Sequence, residues 1–506
     1  MSELNSVNNG VELVKVVSFS DLGGLGYQLA LDTYQRPYVW SKQKIEQMLE
    51  DLQAFKYQSK GDSPKDYYFG SILLHRHHDE EKLFVIDGQQ RLTSLAVLYA
   101  QLHQTLPKWL SFDFRSPISV KNIQQAQKVM QTSPLDLNLE FTQDLFAQLL
   151  FTVIVVDRED LAFTFFDTQN NRGVPLGATD LLKAYHLRAI NSGQKEQDEA
   201  LQSHCAKRWE AVQVSGEKDK QDKVNDFAPE LFHYYLWRAR NWRGNDVKEL
   251  ENRDELFNAF GKQSLSGCKS GRVKLYPGGS NQWASNLVLL ENNEYRLGLN
   301  DLQLSQSAAN LPFSLRHPIN KGAGFFLYAE KYSALLNAIF HDDFSPDKEI
   351  QSMKRLFSMV VERLSKYLQR LFKLSVLIFV DRLGTDGLFE FSQWLNYRLG
   401  AIRLEKADIR RQTPIVFLRD EKRNLIDVIS FAYEPSEVIE FLQLKNVEAI
   451  YCKDDKDKGW QSLIESGEGV QGRYAKAMAN FYGVNDFLNL SSVISKSIKE
   501  CSNVSL

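Results

Sequence analysis

Behind Ser41 the apolar positions Ile45, Met48, Leu49, Leu52 and Phe55 repeat at helical spacing. That spacing predicts a helix burying one stripe, with Ser41 placed to cap it. The pattern then changes. "YYFGSILLH" from residue 67 and "KLFVI" from residue 82 are continuous apolar runs, predicted as neighbouring strands joined through the charged "RHHDEE" turn; "FTVIVV" at 151–156 is a further strand of this kind. Upstream, Pro37 keeps "YQLALDTYQRPYVW" extended, and "KYQSKGDSPKD" reads as a loop. Residues 95–150 are predicted mostly helical. "DLAFTFFDTQNNRGVPLGATDLLKAYHLRAI" predicts a short helix, a glycine-containing turn and a helix starting near Thr179 or Asp180.

Residues 1–190 thus read as an α/β domain with a helical insertion near 100–150. From residue 192 the chain turns polar and charged, so 191–225 is expected to be a solvent-facing helix and linker. Residues 226–506 read as mainly helical, interrupted by the Gly/Ser-rich "GKQSLSGCKSGRVKLYPGGSNQ" and the charged turn "CKDDKDKG". The expected fold class is an α/β (α+β) N-terminal domain followed by a mainly α-helical C-terminal region.

Composition narrows the function classes only a little. With 506 residues, 43% hydrophobic, the chain can bury full cores in two or three domains. A net charge of −3 means that any basic surface must be local. Cys205, Cys268, Cys452 and Cys501 lie far apart, which fits neither a zinc ribbon nor a disulfide framework and suits a reducing compartment. The N-terminus has no basic segment followed by an apolar one, and no apolar run approaches the ~20 residues that span a bilayer. The expected location is the cytoplasm, with no membrane partner.

The densest chemistry lies in "LFVIDGQQRLTSLAVLYAQL". A strand delivers Asp87, Gly88 lets the backbone turn, and Leu92, Leu95, Ala96, Tyr99 and Leu102 then set a helical face. The polar residues fall on the first turn of that helix, where unpaired N–H groups favour an anion; Arg91 and Thr93 can add a guanidinium fork and a hydroxyl. Asp87 has three readings: it caps the helix, holds a divalent ion beside a phosphate, or orients an attacking water. Gln89 and Gln90 are candidates to position that water or read a base edge.

Four motifs in order, "YQRPYVW" at 34–40, "YYFGSILL" at 67–74, "VIDGQQRLTSLAVL" at 85–98 and "NNRGVPLGATDLLKAY" at 170–185, resemble those of the GmrSD-type restriction proteins. The resemblance covers about the first 190 residues. It implies a ParB/sulfiredoxin-like fold whose Asp-Gly-Gln-Gln-Arg element binds and hydrolyses a nucleoside triphosphate, GTP or another, with Mg2+ or another divalent cation. Asp87, Gln90 and Arg91 are then the catalytic candidates, Asp87 also the metal ligand, and Gly88, Gln89, Thr93, Arg36, Asn171 and Asp180 the nucleotide-binding ones. Such proteins act in anti-phage defence as modification-dependent restriction systems, so double-stranded DNA, modified phage DNA in particular, is the implied partner.

Outside that motif, Gln35 and Trp40 on the extended "TYQRPYVW" are candidate nucleic-acid contacts; the bland alternative has Tyr34, Tyr38 and Trp40 covering the sheet. Lys183 is either a phosphate contact or solvated. "RHHDEEK", with His77, His78, Asp79 and Glu81, reads as a solvated turn rather than a metal cluster. Treated as one helix at about 100° per residue, 354–374 places Arg355, Arg363, Lys366, Arg370 and Lys373 within a wedge of roughly 80°. That is a candidate track for a DNA backbone, or a solvated face.

No P-loop motif occurs, and around His317 in "LRHPINKG" no second set of HNH-type metal ligands follows at suitable spacing. The expectation is a triphosphate-hydrolysing, DNA-sensing component working with a separate nuclease subunit. The alternatives are a single-chain endonuclease with a divergent C-terminal metal site, and an adaptor that binds nucleotide or DNA without turnover. A sulfiredoxin-like redox role is disfavoured because no Cys lies near Asp87.

Overall fold

A computed structural model of the chain describes residues 11–32, 35–58, 66–78, 80–133, 145–158, 177–191, 193–216, 225–250, 252–265, 276, 285–289, 295–299, 308–342, 345–419, 423–444, 447–452 and 459–503. It divides into two compact units, the first made of Met1–Arg188, Glu199–Glu210 and Lys218–Asp226, the second of the remainder.

The first unit is built on a mixed six-stranded sheet. Its strands are β1 (Val11–Ser18), β2 (Gln28–Ala30), β3 (Tyr67–His77), β4 (Lys82–Asp87), β5 (Leu110–Ser111) and β6 (Leu149–Val156), in the spatial order β1-β6-β3-β4-β2-β5. β3 and β4 form the antiparallel hairpin that the two apolar runs predict, while β6 lies parallel to β3 on its other side. Two strands escape the sequence reading. β5 is only two residues long, and β1 is an edge strand held antiparallel to β6, with Val14 and Val16 facing outward.

Helix α1 (Lys42–Gln58) buries Ile45, Met48, Leu49, Leu52 and Phe55 as its periodicity requires, and Ser41 Oγ accepts from Lys44 N–H. Together with α2 (Gln89–His103) and α3 (Pro117–Thr132), it contributes to one core with the inward residues of the sheet, among them Leu149, Phe151, Val153 and Val155 of β6. The alternating burial of β6 marks it as a strand with one face in this core. Helix α4 (Ala178–Arg188) starts where the sequence places it.

The second unit is mainly helical, apart from a small antiparallel hairpin, Ser285–Leu289 with Tyr295–Leu299. Its longer helices include α5 (Ala323–Leu336), α6 (Lys348–Met359), α7 (Lys366–Leu383), α8 (Leu388–Glu405), α9 (Gly459–Ser466) and α10 (Gly469–Tyr482). The single helix expected over 354–374 is a correction. The chain breaks after Met359, makes a 3-10 turn at Val361–Arg363 and restarts behind Ser365, whose side chain accepts from Leu368 N–H. Val360, Val361 and Leu364 are buried in this break, so the turn itself belongs to the core.

Lys331 of α5 and Asp381 of α7, both buried, pair at 2.7 Å deep in this unit. Asp381 also accepts from Leu315 N–H and Tyr332 O–H, and Lys331 donates to Phe313 O. Every charge here is compensated by geometry drawn from three chain segments. Among the described residues no helix is long and apolar enough to cross a membrane.

Candidate functional site

Asp87 ends β4 and Gly88 starts α2. Gly88 has φ +97°, in the left-handed region, and a Cβ there would lie 2.5 Å from Ile72 Cγ2. Glycine is therefore required twice, by conformation and by contact. Gly88→Ala is expected to lower unfolding stability by about 1–3 kcal/mol; a denaturant titration with an unchanged midpoint would contradict this.

Asp87 does not cap α2. The N-cap residue is Gly88, and among the described residues no side chain accepts from the first-turn N–H groups. Those donors remain available for an anion at the positive end of the helix. The Asp87 carboxylate instead meets Arg91, one turn on, at 3.3 Å, with both side chains partly exposed. Arg91 also donates to Phe69 O and Ser71 O across the bulge in β3 at Gly70. A Cβ at Gly70, φ +107°, would collide with the guanidinium. Arg91 is thus docked on the strand and reaches Asp87 from there.

Gln89, Gln90 and Thr93 are all buried. Gln90 Oε1 accepts from Val39 N–H and its Nε2 donates to Pro37 O, so the side chain clamps the extended segment to the helix. This revises the expectation that Gln90 positions water: in this structure both ends of its amide are engaged by backbone. Gln89 Oε1 and Thr93 Oγ1, one turn apart, have no hydrogen-bond partner among the described residues.

Gln35 is 8% exposed, and its Nε2 donates to Val85 O and Ile86 O at the end of β4, 2.7 and 3.2 Å away. It is therefore corrected from a DNA contact to a buried brace. Its own carbonyl accepts from Lys183 Nζ of α4 at 3.2 Å. Through Gln35, three sequence motifs converge at the carboxyl end of β4. Asp180 accepts from Gly177 N–H in the manner of a capping box. Burial pushes its carboxyl above the usual carboxylate range, with nearby Arg36 only partly opposing. Burial also lowers the Lys183 ammonium, against the opposing pull of Glu210, Asp180, Asp32 and Asp226. Glu210, Asp32 and Asp226 sit on separate stretches of chain with no local motif, which is why sequence reading missed them.

Asn171 lies outside the described residues. Trp40 is half-buried and lines a cleft of about 250 Å³ with Met48, Tyr67 and Phe69. In the second unit, Arg355, Arg363 and Lys366 are exposed, but the helix break separates them. Arg370 stacks on the Tyr234 ring at 3.8 Å, and Lys373 lies over the rings of Phe340 and Phe357. The five cations do not form one track, because only part of the segment is helix and aromatic rings hold two of them. His317 is half-buried with its ring 3.9 Å from that of Tyr276. Among the described residues no group of three or more His, Cys, Asp or Glu is placed to hold a metal ion.

Residues 18–187 match the family model of the GmrSD restriction endonuclease N-terminal domain. That match spans about a third of the 506 residues and falls within the first unit, so this unit carries a domain similar to the N-terminal domain of GmrSD restriction endonucleases. Residues 201–459, just over half of the 506, match the family of unknown function DUF7834, and the chain belongs to that family. A comparison with curated proteins gave no match.

Proposed function

We propose that the first unit binds and hydrolyses a nucleoside triphosphate at the carboxyl end of β4, as the energy-using and sensing part of an anti-phage restriction system. The observation that carries this reading is the meeting of a partly exposed carboxylate, Asp87, with a helix start that no side chain among the described residues caps. The first-turn N–H groups would meet phosphate oxygens, with the Arg91 guanidinium one turn on.

A magnesium ion fits the donor set. Mg2+ is commonly held by one or two carboxylates together with phosphates and water, so Asp87 suffices as the protein ligand. Bound there, the ion would neutralise phosphate charge. The chain's own part is to hold Asp87 in place, its carboxylate 3.3 Å from Arg91, and to fix the strand end through Gln35.

The ParB/sulfiredoxin-like fold belongs to the same proposal, as does the action on modified double-stranded DNA. Strand cleavage is assigned to a separate nuclease subunit because the sequence offers no second ligand set beside His317. The test is release of inorganic phosphate by the purified chain supplied with each of the four ribonucleoside triphosphates and magnesium. Release above a heat-denatured control is expected for at least one, and none for any of the four would refute the reading.

A further inference from the structure

The second unit holds an open cleft of about 890 Å³ between the turn joining α6 to α7 and the start of α10. Arg363, Lys366, Arg403, Arg473 and Lys476 line it, against one carboxylate, Glu362. Arg363, Lys366, Arg473 and Lys476 are exposed, and none makes an ion pair with a described residue. Two cations on each wall, each pair three residues apart, thus face a shared groove without internal neutralisation.

Arg403 on the floor is 4% exposed, a rare state for a guanidinium. It donates to Lys406 O and Ala407 O, while its Nε finds no partner among the described residues. Burial, and after it the charge of Arg473, pushes the Arg403 pKa below its ordinary value, with Asp408 opposing. The cleft lining thus carries five cations and one carboxylate, Glu362.

The backbone adds to it. Gly467 and Gly469 have φ of 64° and 67°, and a Cβ on Gly472 would lie 2.9 Å from the carbonyl carbon of Gly467. This tight "GEGVQG" turn opens α10 with no side-chain cap, one turn before Arg473. The G-x-G-x-x-G spacing follows a helix, α9, rather than a strand, so it does not mark a dinucleotide fold. It lets the turn pack against the end of α9, where a Cβ on Gly472 would also lie 3.2 Å from Leu463 O, and of its glycines Gly467 lines the cleft.

The described lining contains no aromatic ring on which a base could stack. A groove of cations without stacking surface suits the phosphates of a strand and carries no base readout. We infer that this cleft binds the sugar-phosphate backbone of DNA, holding consecutive phosphates irrespective of sequence. The inference rests on the reading of the chain as DNA-sensing, but not on triphosphate hydrolysis.

The test is fluorescence anisotropy of the full chain with a labelled duplex over a range of salt, alongside phosphate release. The charge-reversed Arg363→Glu/Arg473→Glu protein should bind DNA roughly tenfold or more weakly and lower the log-log salt slope by about 2, since each lost phosphate contact removes about one unit. The charge-preserving Arg363→Lys/Arg473→Lys protein should retain most binding, and phosphate release should stay unchanged in both. Equal affinity and salt slope in the wild type and the Glu variant would overturn the proposal. So would loss of labelled-triphosphate binding without loss of DNA binding, because the groove would then hold a nucleotide. Absence of phosphate release in every protein would refute the hydrolysis reading alone and leave the DNA result standing.

Discussion

Asp87→Ala should reduce phosphate release by about 100-fold or more, the scale on which a positioned acid–base or metal-holding carboxylate contributes. The expected effect on folding is small. Arg91 keeps its bonds to Phe69 O and Ser71 O when the carboxylate is removed, and the pair is partly exposed, so its loss costs at most about 1 kcal/mol. Activity and stability should therefore separate: a turnover assay shows the loss, while thermal unfolding of the variant stays within a few degrees of the parent. Asp87→Asn retains the volume and a hydrogen-bond acceptor for Arg91 but not the charge. Activity in Asp87→Asn near the parent level would show that the carboxylate does not hold an ion and would remove the site's chemical basis.

The largest effect on stability is expected in the second unit. Asp381→Ala leaves the Lys331 ammonium, fully buried, without its counter-charge, and it also unpairs Leu315 N–H and Tyr332 O–H. Breaking one side of a buried pair costs about 3–5 kcal/mol, because the remaining charge has lost both water and partner. Lys331→Met/Asp381→Leu removes both charges and should recover much of that loss. Denaturant unfolding of the single and double variants measures the coupling. Equal destabilisation by the two would assign the effect to packing around residue 381 rather than to the stranded charge.

The local pattern of the chain was sufficient to place β3, β4, β6, the buried stripe of α1 and the turn from strand to helix at Asp87. These features depend on period-two or period-3.6 burial and on the conformational freedom of Gly88, which neighbouring residues encode. The four-motif resemblance likewise located the GmrSD-type unit. Polar side chains were harder. Gln35 and Gln90 look like ligand contacts in sequence, yet each serves backbone groups about fifty residues away. Such partners arise only when the sheet assembles.

The same distinction applies to the C-terminal cations. A helical wheel assumed that 354–374 was continuous, but Ser365 caps a new helix and the buried turn before it redirects Arg363 and Lys366. "GEGVQG" and Arg473 lie a hundred residues downstream, so their approach to that turn has no trace in local periodicity. Sequence alone determined which segments could be strand or helix and where a chemically loaded corner falls, because burial and backbone freedom are read from near neighbours. Tertiary structure decided which polar groups are consumed by the fold and which cations share a groove, because hydrogen bonds and electrostatic fields depend on distance in space.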